Sequence, residues 1–570
     1  MKLPNFLVNK HLQDLFIPAF AIIAVVIAYA SAYPYSPENI EFNTLYLGTA
    51  DYWNDKLSNP AGVSNLLACF IQQFYRWTSA SVALLLLFLV LTTWLCAQAL
   101  GRIGLRNNCV ALIPALVAST MYPVGAETAV QCLVFWLLLY IYTLIPRFRP
   151  VYACLVGIAG YALLPWTILL CWMLATAFIE GVLFKKPKGC IGQLVAILIL
   201  AVLPSAWNEV VGFIPFGKRY LGSAPVLPAI LAYVLPLLLA WSANRLKQAT
   251  KHAASLLIAL AVTVGSVFYT LNKPEYRANE ILAKLTSLAN KEEWHEILNE
   301  IQYEDCNQPI YLRYALLAEN ALGTLPQHLF YYPVTSSKDF LFQHDGNLVG
   351  LDFNRHFYQN INVPDECFHL SFEYATRSTD CFSLGALRNM TTYAIQTGDT
   401  AVASKYIRVL KTSTLHGDWA AEKQEELGRA IVNEHKTRSN TFVGALPLIG
   451  EMVLLVDEDR SNTRRMEYLL CALLLERQLT SFGNILKASK LYRNEPLPQP
   501  YAEAVAMLAM SVDPSLRTLF QYDPNLEKSF SAFMQQKESG QISPETMKQS
   551  HSYWYYFFFA PQQPSTNNMQ

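Results

Sequence analysis

The sequence predicts an all-α chain in two parts: a polytopic helical membrane domain of about nine spans, then an α-solenoid, tetratricopeptide-like soluble domain. Three observations lead there. Apolar runs long enough to cross a bilayer recur as far as Asn272 and then cease. The 570 residues are 53% hydrophobic and 15% charged, more apolar and less charged than a wholly soluble chain. From Pro274 onward the apolar period becomes 3.6 and turns come often. The domains are therefore 1–272, with a large connection at 34–78, and 273–570.

Lys2 and Lys10 precede the first apolar run, Leu15 to Tyr33. Ala30-Ser31-Ala32 resembles an A-x-A cleavage site, but the run is long for a signal core, so an uncleaved first span is expected. The connection that follows is rich in aromatics and acids and too polar to enter lipid. Phe42, Leu45 and Tyr46, then Tyr52, Trp53 and Leu57, then Leu66, Leu67, Phe70 and Phe74 recur at helical spacing. Helices lying along the interface are expected, with a turn at Asn59-Pro60-Ala61-Gly62.

Further spans are read at Ser79 to Leu100, Cys109 to Gly125, Ala126 to Ile145, Val151 to Leu164, Pro165 to Phe184, Cys190 to Trp207, Val226 to Ala243 and Ala254 to Asn272. Pro165 marks either a turn between two spans or a kink within one. The cations test this count. Lys2, Lys10, Arg102, Arg106, Arg147, Arg149, Lys185, Lys186, Lys188, Arg245, Lys247 and Lys251 fall on one side, against Lys56, Arg76, Lys218 and Arg219 on the other. Cytoplasmic loops retain basic residues, so a bacterial inner-membrane protein is expected, with its N-terminus inside and its C-terminal domain periplasmic. Glu127, Glu180 and Glu209 lie near predicted span ends and read as interface anchors. No Asp, Lys, Arg or His is placed at a midplane, which disfavours an ion-coupled transporter.

In the second part, ANEILAKLTSLANKEEWHEILNEI reads as two helices turning at Asn290, and the next pair, from Pro309, turns at Gly323. Gly385 to Ser413 is a clearer unit, in which Gly398-Asp399 followed by Ala401, Ala403, Tyr406 and Leu410 resembles the tetratricopeptide G-D-x-x-x-A pattern. Arg465 to Tyr492 supplies another pair. Tyr331 to Pro364 breaks the rhythm and is expected to be a solvated irregular insertion. It holds His344, His356, Asp339, Asp345 and Asp352, with His328 just before it, at spacings that imply no metal site. SYWYYFFFA, 552–560, is expected to cap the helical array or touch the membrane surface.

Seven of the eleven cysteines fall in the membrane half; Cys306, Cys367, Cys381 and Cys471 follow it. None has metal-ligand spacing, and Cys367 and Cys381 pair only if their compartment is oxidising. A net charge of zero without long basic runs gives no sign of nucleic acid, and no motif implies a cofactor.

GTADYWNDKLSNPAGVSNLLACFIQQFYRWTSASVALLL, EYRANEILAKLTSLANKEEWHEIL and the Gly398-Asp399 unit together resemble an uncharacterised bacterial family of multi-pass membrane proteins with a tetratricopeptide-like C-terminal region. That resemblance implies architecture and no chemistry. The residues support a membrane-anchored interaction module, with lipid around the spans and a protein or peptide partner at the helical repeats. The alternative resembles C-type glycosyltransferases using a lipid-linked donor, with Glu38, Glu41, Asp51 and Asp55 of the 34–78 connection as the candidate acids.

Overall fold

The structure is a computed structural model that describes residues 10–186, 190–211, 232–246, 248–342, 347–378, 383–433, 443, 446–542 and 551–560. It divides into two compact units. Unit 1 comprises residues 1–284 with 409–418, and unit 2 comprises 285–408 with 419–570. Helices account for nearly all regular structure, and the sole β feature among the described residues is an isolated bridge between Pro496 and Gln521.

Unit 1 is built from α1 (Lys10–Ala32), α2 (Ser36–Asn43), α3 (Ala50–Ser58), α4 (Gly62–Gln72), α5 (Thr78–Arg102), α6 (Asn108–Ser119), α7 (Glu127–Leu144), α8 (Arg149–Leu163), α9 (Trp166–Phe178, extended by a π turn through Leu183), α10 (Ile191–Val211), α11 (Leu235–Ala243) and α12 (Gln248–Asn272). Five of these stretches are long and apolar enough to cross a membrane: 78–102, 127–144, 166–183, 191–210 and 253–272. A sixth is added if α1 and α2, bent by 79° at their junction, form one broken span. Five of the predicted nine are thus matched by full-length helices among the described residues. α6 and α8 are helical where spans were expected but too short to cross upright, and α6 is almost wholly buried. Pro165 lies in extended backbone between α8 and α9, so it marks a turn between two helices. Residues 226–231 of the predicted 226–243 span lie outside the described residues, and α11 covers its C-terminal half.

The lipid-like exterior of unit 1 follows from side-chain spacing. Leu194, Leu198 and Val202 on α10, and Leu257, Leu260, Val264 and Phe268 on α12, form exposed apolar stripes at helical period. Inside, α8 and α10 approach closely because small residues face each other. A Cβ at Gly157 would sit 3.0 Å from Ala196 Cβ, and one at Gly192 would sit 2.8 Å from Pro150 Cα.

Unit 2 continues from the end of α13 (Pro274–Asn290) with α14 (Trp294–Glu300), α15 (Pro309–Leu322), α16 (Leu325–His328), α17 (Leu348–Asn360), α18 (Pro364–Arg377), α19 (Leu384–Gln396) and α20 (Thr400–Leu410). It resumes with α21 (Gly417–Asn433), α22 (Leu448–Glu458), α23 (Thr463–Leu475), α24 (Leu479–Ser489), α25 (Gln499–Ser511), α26 (Leu516–Leu519), α27 (Asn525–Glu538) and α28 (Tyr553–Phe559).

One turn recurs between consecutive helices. Glu292, Gly323, Asn362, Gly398 and Arg477 all adopt left-handed backbone just past a helix end. The next residue then donates to the carbonyl five positions back: Glu293 to Leu288, Thr324 to Glu319, Val363 to Tyr358, Asp399 to Ala394 and Gln478 to Leu473, at 2.8 to 2.9 Å. This is the Schellman closure, and it recurs at intervals of about 30–40 residues and then about twice that. The predicted turns at Gly323 and Gly398 are among the five. Consecutive helices α17, α18 and α19 pack in sequence, as do α22, α23 and α24, but α15 also packs on α23 and α16 on α25. The unit therefore folds back on itself, where a one-dimensional stack would touch only neighbours.

The expected irregular insertion is corrected. Residues 348–360 form α17, capped by Asn347, whose side chain accepts from Val349 N at 3.1 Å. α17 is buried on nearly every face, including Asn354, Arg355 and His356, so it lacks the polar stripe that would betray a helix. His344, Asp345 and Cys381 lie outside the described residues; Cys367 is a buried free thiol donating to the Arg355 carbonyl at 3.5 Å. The aromatic tail folds as α28, with Tyr553, Trp554 and Tyr556 buried.

Gly157→Leu and Gly192→Val should each destabilise the protein by about 1–3 kcal/mol through overpacking, read as a lower melting midpoint in detergent. Gly265→Leu, where an added Cβ meets nothing within 4 Å, should leave it unchanged.

Candidate functional site

The 34–78 connection carries the predicted acids, and its shape comes from helix ends tied to neighbouring elements of unit 1. α2 begins where Glu280 accepts from Tyr35 N at 2.7 Å, Ser36 N at 2.8 Å and Ser36 Oγ, a carboxylate on the positive end of a helix. The turn from α3 to α4 runs through Ala61, at φ +57°, whose N–H donates to Tyr161 O at 2.9 Å. Ser64 Oγ reaches Leu163 O at 2.6 Å, and Trp207 Nε1 reaches Ser58 O at 2.7 Å. Gly62 admits no side chain here, since a Cβ would stand 2.4 Å from Lys56 O.

On this frame the four candidate acids separate. Asp51 and Asp55 are exposed on α3, a helix with no buried residue. Glu38 is exposed on α2. Glu41 is buried, and His416 Nε2 lies 2.9 Å from its Oε1. The two are close but out of line for a hydrogen bond, and both His416 nitrogens lack a hydrogen-bond partner. His416 belongs to the 409–418 segment of unit 1, which is also held by Gly48 N donating to Thr412 O at 2.9 Å. A carboxylate orients an imidazole as a base through a hydrogen bond, which this pair does not make. With both side chains enclosed, its role in this conformation is to fix 409–418 against α2. Nothing in the local sequence singles out His416 as a partner for Glu41.

Two more constellations concern residues read as anchors or loop groups. Glu180, expected at an interface, is buried on the π turn after α9 and pairs with Arg149 Nη1 at 3.1 Å. Tyr142 OH donates to the same carboxylate oxygen at 3.1 Å and accepts from Gln193 Nε2 at 2.7 Å. Arg149, sorted above with the cytoplasmic cations, has its guanidinium over the Phe184 ring at 4.6 Å, with its side chain largely covered. Glu127 is bonded to Gln72 Nε2 at 3.0 Å, and Glu209 is exposed.

In unit 2, Asp352 Oδ1 accepts from Arg355 Nη2 at 2.7 Å and Nε at 3.1 Å. Arg355 Nη2 also meets His356 Nε2 at 2.9 Å. A guanidinium can only donate, so Nε2 is the acceptor and the ring is neutral. Burial, followed by Arg355, pushes His356 down to about 3. Burial pulls Asp352 upward, but Arg355 outweighs it and holds the carboxyl below its ordinary range. These groups satisfy one another, as a structural ionic core does. Asp339 caps the turn at Ser336, and His328 Nδ1 lies 2.9 Å from buried Glu319. Among the described residues no group of three His, Cys, Asp or Glu side chains is arranged to hold a metal ion.

Two carboxyls of unit 2 stand apart. Burial raises Glu366 to about 7 against the pull of His369, and raises Glu467 to about 7 although Tyr492 OH donates to it at 3.2 Å.

Fold and site together define a helical protein with several helices of membrane-crossing length and apolarity. The chain belongs to the family of unknown function DUF6057, which matches residues 10–560. No curated protein and no solved structure matches it.

Glu41→Ala should lower stability by about 1–3 kcal/mol, since it leaves His416 buried beside a void, whereas Asp51→Asn and Asp55→Asn should each stay within about 0.5 kcal/mol, all measured by thermal melting. A second outcome concerns pH. Glu366 in the folded chain keeps a proton that the unfolded chain releases above 4.5, so its stabilisation is full below 4.5 and lost as pH rises through about 7. Glu366→Gln should therefore raise the melting midpoint by a few degrees at pH 8, with the gain vanishing at pH 5.

Proposed function

We propose that this is an integral membrane protein of the bacterial inner membrane that presents its second unit, a tetratricopeptide-like array of helix pairs, to a protein or peptide partner. The observation that carries this reading is the Schellman turn repeated after Leu288–Ala289, Glu319–Asn320, Tyr358–Gln359, Ala394–Ile395 and Leu473–Leu474. Repeating one helix-pair unit is how chains build extended surfaces for recognition. Large apolar side chains exposed on that unit, among them Phe372, Ile431, Leu454 and Met510, are the contacts a partner would cover. In this reading the N-terminus is cytoplasmic, about nine segments cross or enter the bilayer, and unit 2 is periplasmic, as the sorting of cations supports.

A second reading, the C-type-glycosyltransferase-like enzyme, is favoured by one observation: Glu41, alone of the four candidate acids, is buried beside a histidine. It would need 409–418 to move before Glu41 could meet an acceptor hydroxyl.

Photo-crosslinking residues placed singly at Phe372, Ile431, Leu454 and Met510 of the full chain in intact membranes should give an adduct of one common mass from at least two positions. No adduct at any position would contradict the interaction reading.

A further inference from the structure

α28 of unit 2 sits in its surroundings as a ligand sits in a receptor. α28 has seven residues, half the length at which a helix holds together alone in water, so its helicity depends on what surrounds it. Both its ends are read by side chains from elsewhere in the unit. At the N-terminus, buried Glu503 of α25 accepts from Ser552 Oγ and Tyr553 N, each at 2.7 Å. At the C-terminus, Arg477 Nη2 donates to the carbonyls of Tyr556, at 3.0 Å, and Ala560, at 2.6 Å. An anion at the positive end and a cation at the negative end recognise a helix by its main chain, whatever its side chains. Between these ends the seat is apolar and aromatic: Phe330 meets Tyr553 and Tyr556 at ring distances of 5.5 and 5.1 Å, and Phe533 meets Trp554 at 5.7 Å. Arg477 holds its position from a left-handed backbone, at φ +56°, that a side chain adopts at a cost.

We propose that this seat is a helix-recognition slot of unit 2, filled in the resting chain by α28 and able to exchange it for a short aromatic helix of a protein partner. The inference rests on the partner reading above and deepens it: the partner presents a turn or two of helix with a Ser, Thr, Asn or Asp cap and aromatic residues on one face. The tail competes in cis at an effective concentration of about millimolar, so a partner helix gains access only when it binds tightly or when the tail is displaced.

The probe is a labelled, Lys-tagged peptide carrying residues 549–562, titrated onto the full chain in detergent and onto a chain ending at Gly540. The shortened chain should bind the peptide saturably, Glu503→Gln and Arg477→Gln should each weaken that binding at least tenfold, and the intact chain should bind at least a hundredfold more weakly. A shortened chain that keeps its helical signal and cooperative melt yet does not bind, or binds equally with either substitution, overturns the proposal. Should the shortened chain fail to fold, amide exchange on the intact chain decides: 553–559 should exchange at least tenfold faster than α23, and equal rates would make α28 a fixed core element. Loss of the slot with cross-links retained at Phe372 or Ile431 would leave the broader partner reading standing, whereas loss of those cross-links would remove it.

Discussion

The constraint on which the whole chain depends is that every main-chain N–H and C=O taken out of water must find a partner. In unit 1 the chain meets it with long helices whose groups bond internally, the solution that a hydrocarbon surrounding demands. Of the two short helices, α6 lies inside the packing, whereas α8 buries one face and leaves Val151, Leu155 and Ile158 exposed. α6 illustrates this: the Asn107 side chain closes its first turn by accepting from Val110 N and donates to Ser255 of α12 at 2.7 Å. In unit 2 the same constraint is met at helix ends, by one turn used repeatedly, and at α28 by two charged side chains from other helices.

The buried charges follow the same logic. Arg149 with Glu180, and Arg355 with Asp352, are paired and carry further hydrogen bonds, as buried ions must be to persist. Glu41 and His416 differ. They are close and enclosed, but the imidazole nitrogens are not engaged, and that contact holds 409–418 within unit 1 although the chain on either side belongs to unit 2.

Several features were legible in the sequence for identifiable reasons. The turns at Gly323 and Gly398 announced themselves because glycine adopts left-handed backbone freely. The turn predicted at Asn290 falls at Glu292, while Asn362 and Arg477 make the same turn with side chains that carry little or no such mark, so the repeat was only partly visible. α17 was missed because burial on all sides erases the period that identifies a helix. Five full-length apolar helices match the predicted spans among the described residues; apolar composition alone does not distinguish such a helix from one, such as α6, that is short and packed within protein. Among the candidate acids, only three-dimensional proximity separates Glu41 from Asp51 and Asp55, since His416 lies far along the chain.

The central proposal is that the chain leaves lipid after Asn272, with the long apolar helices of unit 1 facing lipid and unit 2 facing water. Spin labels at Leu198 and Leu260 of unit 1, and at Leu454 and Met510 of unit 2, test it in reconstituted bilayers. The first two should relax mainly with dissolved oxygen and the second two mainly with a water-soluble nickel chelate. Nickel accessibility at Leu198 and Leu260 equal to that at Leu454 and Met510 would contradict the account.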